Sequence, residues 1–427
     1  MLRKTFSVIM LVLLLANMLA VTSNIRLIKA ELTTIRVPED FPTIQEAINA
    51  ATPGNIIFVK AGIYRENVIV NKAVSLVGED PATTIIDGGG VGTVVNITAD
   101  NVRLTGFTIQ NSSLEFGFYA GVYLRKAHYC NISENIIKTN GQIGIYLLGS
   151  SYNIISRNNI THNGNGIWLT AIQEGYFVDF TLYNIIANNN ITSNYYSLNL
   201  VYSSYNNVSG NNIAKSQYGV WIEDSVDNTF LENSIVENGF YGVYLTGYKS
   251  ANNRFYHNSF INNSRHVYSD GCVSVWDNGY PYGGNYWSDY KGVDEKSGPN
   301  QDKPGSDGIG DTPYIIDSNN VDHYPLMNPY EQQIMGPPGT YVWIYWKRDN
   351  NYNFDVDLNV TDAPDVVGSG QVIFWAHQFG FVNGSGGYLG LQIVGSQKKV
   401  IFSIWDAITG EPGNPFQEGD GHGWQII

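Results

Sequence analysis

Four acids on one part of this chain have the chemistry of a sugar-cleaving pair. Glu223 and Asp224 close the stretch Tyr218–Ser225, which reads YGVWIEDS. Polysaccharide hydrolysis needs two carboxylates, about 5–5.5 Å apart for retention or about 6.5–9.5 Å for inversion. The equivalent outward positions elsewhere are Arg125, Leu148, Thr170, Val201 and Thr246, none of them acidic. Glu174 and Asp179, on a nearby insertion, are the only acids placed to join Glu223; the plainer alternative is that all four are solvated. Copper or zinc would need several His or soft ligands converging. His128, His162, His257 and His266 fall at different offsets, and neither HxH nor CxxC occurs. Calcium takes six to eight oxygens, and Asp302, Asp307 and Asp311, in and around GSDGIGD, are candidates for it. Their spacing is not that of an EF-hand, and aspartates bracing the turns of an end cap explain them equally. No cofactor is required by this reading.

Binding is the other chemistry on offer. Val220 and Ile222 alternate with Trp221, the pattern of a strand that buries one face and turns a tryptophan outward. The phrase recurs at Gly121-Val-Tyr-Leu, Gly144-Ile-Tyr-Leu, Gly166-Ile-Trp-Leu, Ser197-Leu-Asn-Leu, Gly219-Val-Trp-Ile, Gly242-Val-Tyr-Leu and His266-Val-Tyr, at spacings of 23, 22, 31, 22, 23 and 24. The outward position reads Tyr123, Tyr146, Trp168, Asn199, Trp221, Tyr244 and Tyr268. If the repeats stack at about 4.8 Å, these side chains form an exterior row roughly 29 Å long. Rings with apolar faces and polar tips suit a polysaccharide or cell-surface glycan. The alternative is a structural ladder that stabilises the sheet or lies under a cover. The 31-residue interval carries an aromatic insertion, Ala171–Tyr183, that would wall such a groove or be inert.

What must position these residues is a solenoid. A second phrase alternates with the first: NISENII at Asn131, NIISRNNI at Asn153, NIIANNNI at Asn184, NVSGNNI at Asn207, NTFLENSI at Asn228 and NRFYHNSF at Asn253. A repeat of 22–24 residues with short strands and Asn or Gly turns is one coil of a parallel β-helix. Stacked asparagines at its corners would bond along the axis. The expected fold is therefore all-β: a right-handed parallel β-helix of about ten coils, followed by a smaller β-sandwich. Thr43-Ile-Gln-Glu46 is a capping box opening a short helix, with Ile44, Ala47, Ile48 and Ala51 on one side, that would plug the first coil.

The opening half, FPTIQEAINAATPGNIIFVKAGIYRENVIVNKAVSLVGED, resembles the start of the pectate-lyase-like right-handed β-helix superfamily, which includes pectin methylesterases. The segment GGNYWSDYKGVDEKSGPNQDKPGSDGIGDTPYIIDSNNVDHYPLM (283–327) resembles the end of NosD-type periplasmic β-helix proteins. In pectinases the corresponding face holds the substrate groove, so the resemblance favours a glycan at the row. The two catalytic aspartates of pectin methylesterases have no counterpart here, and the scattered histidines do not carry over the copper role that the NosD likeness implies.

The remaining sequence sets the context. Arg3 and Lys4 precede the apolar run Phe6–Val21, so residues 1–30 read as a signal peptide, and no other stretch has the length and hydropathy of a membrane span. The formal net charge of −14 excludes a polyanion such as nucleic acid as partner. Residues 31–328 hold the β-helix, with 283–328 as its terminal cap, and 329–340 read as a linker around Met335-Gly-Pro-Pro-Gly339. The expected β-sandwich covers 341–427, where GGYLGLQIVG, KKVIFSIWDA and GDGHGWQ resemble an uncharacterised domain of secreted proteins. Cys130 and Cys272 are too far apart along the solenoid to pair. Nine N-x-S/T sequons (Asn96, Asn111, Asn131, Asn159, Asn190, Asn207, Asn262, Asn359 and Asn383) are partly a by-product of the repeat. The function expected is glycan binding outside the cell; a lyase or hydrolase, a structural surface rod and a copper accessory role are the alternatives.

Overall fold

The computed structural model describes residues 33–330 apart from 116, and beyond them five strands. The expected signal peptide, nearly all of the linker and the sequons Asn359 and Asn383 involve residues outside this description, apart from the backbone of Asn359. Thr34–Trp287 winds into three parallel sheets of eleven, nine and ten strands. Each coil visits the eleven-stranded, then the ten-stranded and then the nine-stranded sheet, as Asn131–Ser133, Ile136–Lys138 and Ile143–Leu148. Inward residues of successive coils stack in columns: Val122, Ile145, Ile167, Leu198, Val220 and Val243 are in register and fully buried.

The corners are held by asparagine. Asn135, Asn158, Asn189, Asn211, Asn233, Asn258 and Asn285 form one continuous ladder. At each rung one Oδ1 accepts both the backbone N–H and the side-chain Nδ2–H of the asparagine a coil below, at 2.9 and 3.0 Å for Asn158 onto Asn189. The second Nδ2 proton goes to a main-chain carbonyl, Ile132 for Asn158. A buried amide is thereby satisfied only when its neighbour is in register. Two further ladders run through Asn153, Asn184, Asn206, Asn228 and Asn253 and through Asn140, Asn163, Asn194, Ser216, Asn238 and Asn263. The residue before a ladder position takes a left-handed φ, as at Arg157 (54°), His162 (56°) and Asn188 (56°), a conformation unfavourable for side chains other than Gly, Asn or Asp.

Glycine in the Gly-Val-Tyr phrase has a packing cause. A Cβ on Gly219 would lie 2.5 Å from the Gly242 carbonyl and 3.0 Å from Asn238 Nδ2. Ser197 takes that place in one coil, and there the ladder asparagine is replaced by Ser216, whose Oγ bonds Ser197 Oγ at 2.7 Å. One small side chain makes room for the other.

Both ends are closed. Helix α1 (Ile44–Ala50) buries Ile44, Ala47 and Ile48. Thr43 Oγ1 accepts from the Glu46 N–H, but the free Ile44 and Gln45 amides are taken by the Glu66 carboxylate rather than by a reciprocal Glu46 contact. Lys72 Nζ donates to the carbonyls of Ile48, Asn49 and Ala51 at the other end of the helix. In the far coils the aliphatic columns give way to stacked rings, Phe255 on Trp276 and Phe260 on Trp287, each 4.3 Å between centroids. The longest ladder ends on Asp322, a fully buried carboxylate that accepts from Asn285 N (2.8 Å), Trp287 Nε1 (2.9 Å) and Tyr324 N (3.1 Å). Cys130 and Cys272 are free and buried, and burial pushes the Cys130 thiol up to about 11.

Gln333–Ile427 forms a separate compact unit. Its described strands make a two-stranded antiparallel sheet, Trp343–Arg348 with Phe354–Asn359, and a three-stranded one, Gln371–Gly380, Gly386–Val394 and Lys399–Asp406.

Two outcomes check this account. Ser216→Asn should destabilise by about 1–3 kcal/mol through overpacking against Ser197, and adding Ser197→Gly should recover most of the loss in denaturant titrations; a single variant as stable as the parent would refute the compensation. Burial pushes the Asp322 carboxyl up to about 7, against the pull of its N–H donors. A carboxyl with a raised folded pKa holds a proton that unfolding releases, so its contribution is complete below about pH 4 and declines up to about pH 7. The stability of the parent relative to Asp322→Asn should therefore fall across that window, on the order of a few kcal/mol. A difference independent of pH would mean that Asp322 is ionised throughout.

Candidate functional site

The second sheet carries the expected aromatic row, in the expected register: Tyr123, Tyr146, Trp168, Asn199, Trp221, Tyr244 and Tyr268 are successive partners. The row is not one open stripe. Tyr146 is only 5% exposed and packs with Ala120 and Ile143 in a small cluster of its own. Phe118, from the loop before the strand Ala120–Arg125, lies over it, 6.2 Å from Tyr146 and 5.7 Å from Trp168. Asn199 then breaks the row, donating to Asn165 Oδ1 at 2.6 Å. Tyr146 is therefore packing rather than part of an exterior stripe, which corrects the expectation of a continuous one, while Tyr123 and Trp168 stay half-buried against it, the same burial as Trp221, Tyr244 and Tyr268.

The upper half is broader than expected. Strand pairing skips the glycine position, as between Tyr218↔Tyr241 and Val220↔Val243. The residue before glycine consequently shares a face with the residue three places on. Tyr196, Tyr218 and Tyr241 form a second column, with Tyr196 stacked on Tyr218 at 4.8 Å. The two columns meet nearly at right angles: Tyr218 is 5.4 Å from Trp221 at 70° and 5.9 Å from Tyr244 at 88°. Trp221, Tyr244 and Tyr268 stack at 4.3 and 4.8 Å, so much of each face is spent on its neighbour and edges and hydroxyls face outward. Concavity appears one step further out. Tyr218, Phe240 and Tyr241, with Gly239, Ser264 and Arg265, line a shallow, wide-open cleft of about 340 Å³. Burial raises the phenol pKa of Tyr196, Tyr218 and Tyr244 above its ordinary value.

The acids do not assemble. Glu223 accepts from Trp221 Nε1 at 3.2 Å, and Asp224 accepts from the Lys249 N–H at a corner. Glu174 and Asp179 sit on a hairpin, Ile172–Glu174 with Phe177–Asp179, and both carboxylates bind Lys126 at 2.8 Å, Glu174 also Arg125 at 3.1 Å. Arg125 and Glu223 occupy one column with Leu148, Thr170 and Val201 between them, about 19 Å at rung spacing. The hairpin acids are thus tied down at the opposite end of the face, and the expectation that they approach Glu223 is corrected. Lys126 lowers the Glu174 pKa, first through the hydrogen bond.

The aspartates of the terminal cap serve the backbone. Asp307 accepts from Gly298 N and Ile309 N, and Asp311 from Glu295 N and Lys296 N. Asp302 lies beside them at an exposed position. Among the described residues, no three His, Cys, Asp or Glu side chains are placed to hold a metal ion. A further set of rings escaped the sequence reading: Tyr129, Tyr152, Tyr183 and Tyr205 stack at 5.2 Å along an outer corner and are 45–59% exposed. Their signal was a tyrosine one place before each corner residue.

Comparison with known proteins follows this geometry. The family model for the periplasmic copper-binding protein NosD matches residues 48–175 and 169–292, more than half of the chain. The chain belongs to the NosD family. A cell surface glycoprotein of Methanothermus fervidus is 31% identical over 138 residues, 32% of this chain and 21% of that one. A probable pectinesterase/pectinesterase inhibitor of Arabidopsis thaliana is 37% identical over 87 residues, 18% of this chain and 15% of that one. This NosD-family chain therefore spans about a fifth or less of either relative. Among solved structures, an alginate lyase of a Paenibacillus species superposes with a TM-score of 0.46 at 15% identity, covering 59% of this chain and 96% of that one.

The family description raises copper, which the described side chains do not fit. His128 Nδ1 accepts from the Ser151 N–H, His257 Nε2 meets the Tyr282 carbonyl, and His323 Nδ1 meets Asp277. His266 is buried between Asn263 and Asp289, and burial lowers its pKa. No two of these four rings share a partner, and the thiols of Cys130 and Cys272 lie against backbone carbonyls.

Proposed function

We propose that this protein is a cell-surface or periplasmic carbohydrate-recognition solenoid that holds a polysaccharide along the upper half of its aromatic face. The observation that carries this reading is the cleft lined by Tyr218, Phe240 and Tyr241 beside the row of Trp221, Tyr244 and Tyr268. Aromatic walls offer a sugar's C–H surfaces an apolar contact, while the neutral phenols and Ser264 offer hydrogen bonds to its hydroxyls. The likeness of one segment to a cell surface glycoprotein supports the location. Among the described residues, no helix is long and apolar enough to cross a membrane. Binding is favoured over cleavage because Glu223 is bonded to Trp221, while Glu174 and Asp179 are both paired with Lys126.

The test is a screen of immobilised polysaccharides followed by titration of the best binder. Phe240→Ala with Tyr241→Ala should lower affinity about tenfold or more with little change in Tm, since Phe240 is 47% exposed. Trp168→Ala, beneath Phe118, should lower Tm and leave affinity in place. Unchanged binding in the cleft double variant, or loss of binding only in Trp168→Ala, rejects this site.

A further inference from the structure

Arg265 interrupts the tyrosine column where it meets the cleft. Gly242 N–H bonds the Arg265 carbonyl, and Val243 pairs with Val267. Arg265 therefore continues Tyr196, Tyr218 and Tyr241, two residues before the inward valine as Tyr241 is. Its guanidinium lies over the Tyr268 ring, 5.1 Å from the centroid. That relation repeats Tyr241 with Tyr244 (5.2 Å) and Tyr218 with Trp221 (5.4 Å) one and two rungs below. A cation thus stands where the pattern has a phenol.

Arg265 is exposed, and among the described residues no carboxylate lies within ion-pair distance of it. The nearby acid is otherwise engaged. Asp289 Oδ1 is 3.3 Å from His266 Nε2, and Asp289 Oδ2 accepts from the Tyr314 hydroxyl at 3.2 Å. In a chain with formal charge −14, a free arginine held against a ring at the mouth of an aromatic cleft is a charge left for a ligand. The cation–π contact with Tyr268 holds the guanidinium at the cleft, so less ordering remains to be done on binding.

We propose that Arg265 makes this cleft a subsite for a carboxylate-bearing sugar, so that the polysaccharide recognised is a polyuronate. The planar fork of donors matches the two oxygens of a carboxylate in a bidentate pair. A uronic acid carries its carboxylate directly on the ring, so a sugar seated between Tyr218, Phe240 and Tyr241 presents that group at the cleft wall where Arg265 stands. This inference rests on the glycan-binding reading of the same face and adds the charge of the ligand to it.

The experiment compares a polyuronate with its methyl ester, which keeps the backbone and removes the charge, and dextran sulfate with dextran. Titrations use the full chain, its Arg265→Gln and Arg265→Lys variants, and two salt concentrations. The parent should bind the polyuronate about threefold to tenfold more tightly than the ester at low salt, with the preference shrinking as salt rises. Arg265→Gln should abolish the preference, costing the polyuronate severalfold more affinity than the ester, and Arg265→Lys should restore part of it. Equal affinity for acid and ester in the parent, or an equal loss for both in Arg265→Gln, overturns the subsite and leaves the platform intact. Preference for dextran sulfate without preference for the polyuronate overturns the assignment to carboxylate. Failure of the parent to bind any of the four polymers, alongside a negative polysaccharide screen, overturns the platform itself and the subsite with it.

Discussion

One amide bonding to its copy a coil away is the interaction on which the rest depends. Each ladder asparagine, such as Asn158 between Asn135 and Asn189, satisfies a buried backbone N–H, a buried side-chain N–H and a buried carbonyl in one arrangement. A coil displaced by a single residue would orphan all three groups, and each orphaned buried group costs about 1–3 kcal/mol. The same side chains secure the left-handed corner residues that precede them, which would otherwise be unfavourable. From Asn135 onward, register is therefore imposed at the corners of the coils rather than left to the aliphatic core, whose isoleucines and valines interchange readily.

Strict register is what turns a repeated sequence into an organised surface. Any outward position becomes a column, and its chemistry is the list of residues that the coils place there. The second sheet shows both consequences. Where a loop folds back, as with Phe118 over Tyr146 and Trp168, the column becomes a minor core. Where the glycine-centred irregularity persists without a cover, two aromatic columns interlock and open into the cleft at Phe240. The terminal cap continues the pattern, since Asp322 accepts the Asn285 N–H and Asn320 the Ser274 N–H beyond the last full coil.

Much of this was legible from repeats alone, because periodicity and register are properties of local sequence. The columns, the asparagine ladders and helix α1 followed from residue spacing. What escaped depended on contacts between segments distant in sequence. The cover by Phe118 comes from an irregular loop with no periodic signal. The attachment of Glu174 and Asp179 to Lys126 joins residues some fifty positions apart, so acids that looked free for chemistry were already paired. The second column was hidden differently: strict alternation puts Tyr218 and Trp221 on opposite faces, and only the skipped pairing at Gly219 brings them to one side. The tight space around that glycine was the physical clue.

The central claim, that this sheet rather than another surface meets the polysaccharide, is tested most directly by hydroxyl-radical footprinting with and without saturating ligand. The protein contains its own control, because the Tyr129, Tyr152, Tyr183 and Tyr205 stack is as exposed as Phe240 but lies on a different corner. Protection confined to Tyr218, Phe240, Tyr241 and their column neighbours, with the corner tyrosines oxidised at an unchanged rate, is the predicted result. Protection of the corner stack with the cleft rings unaffected would contradict it.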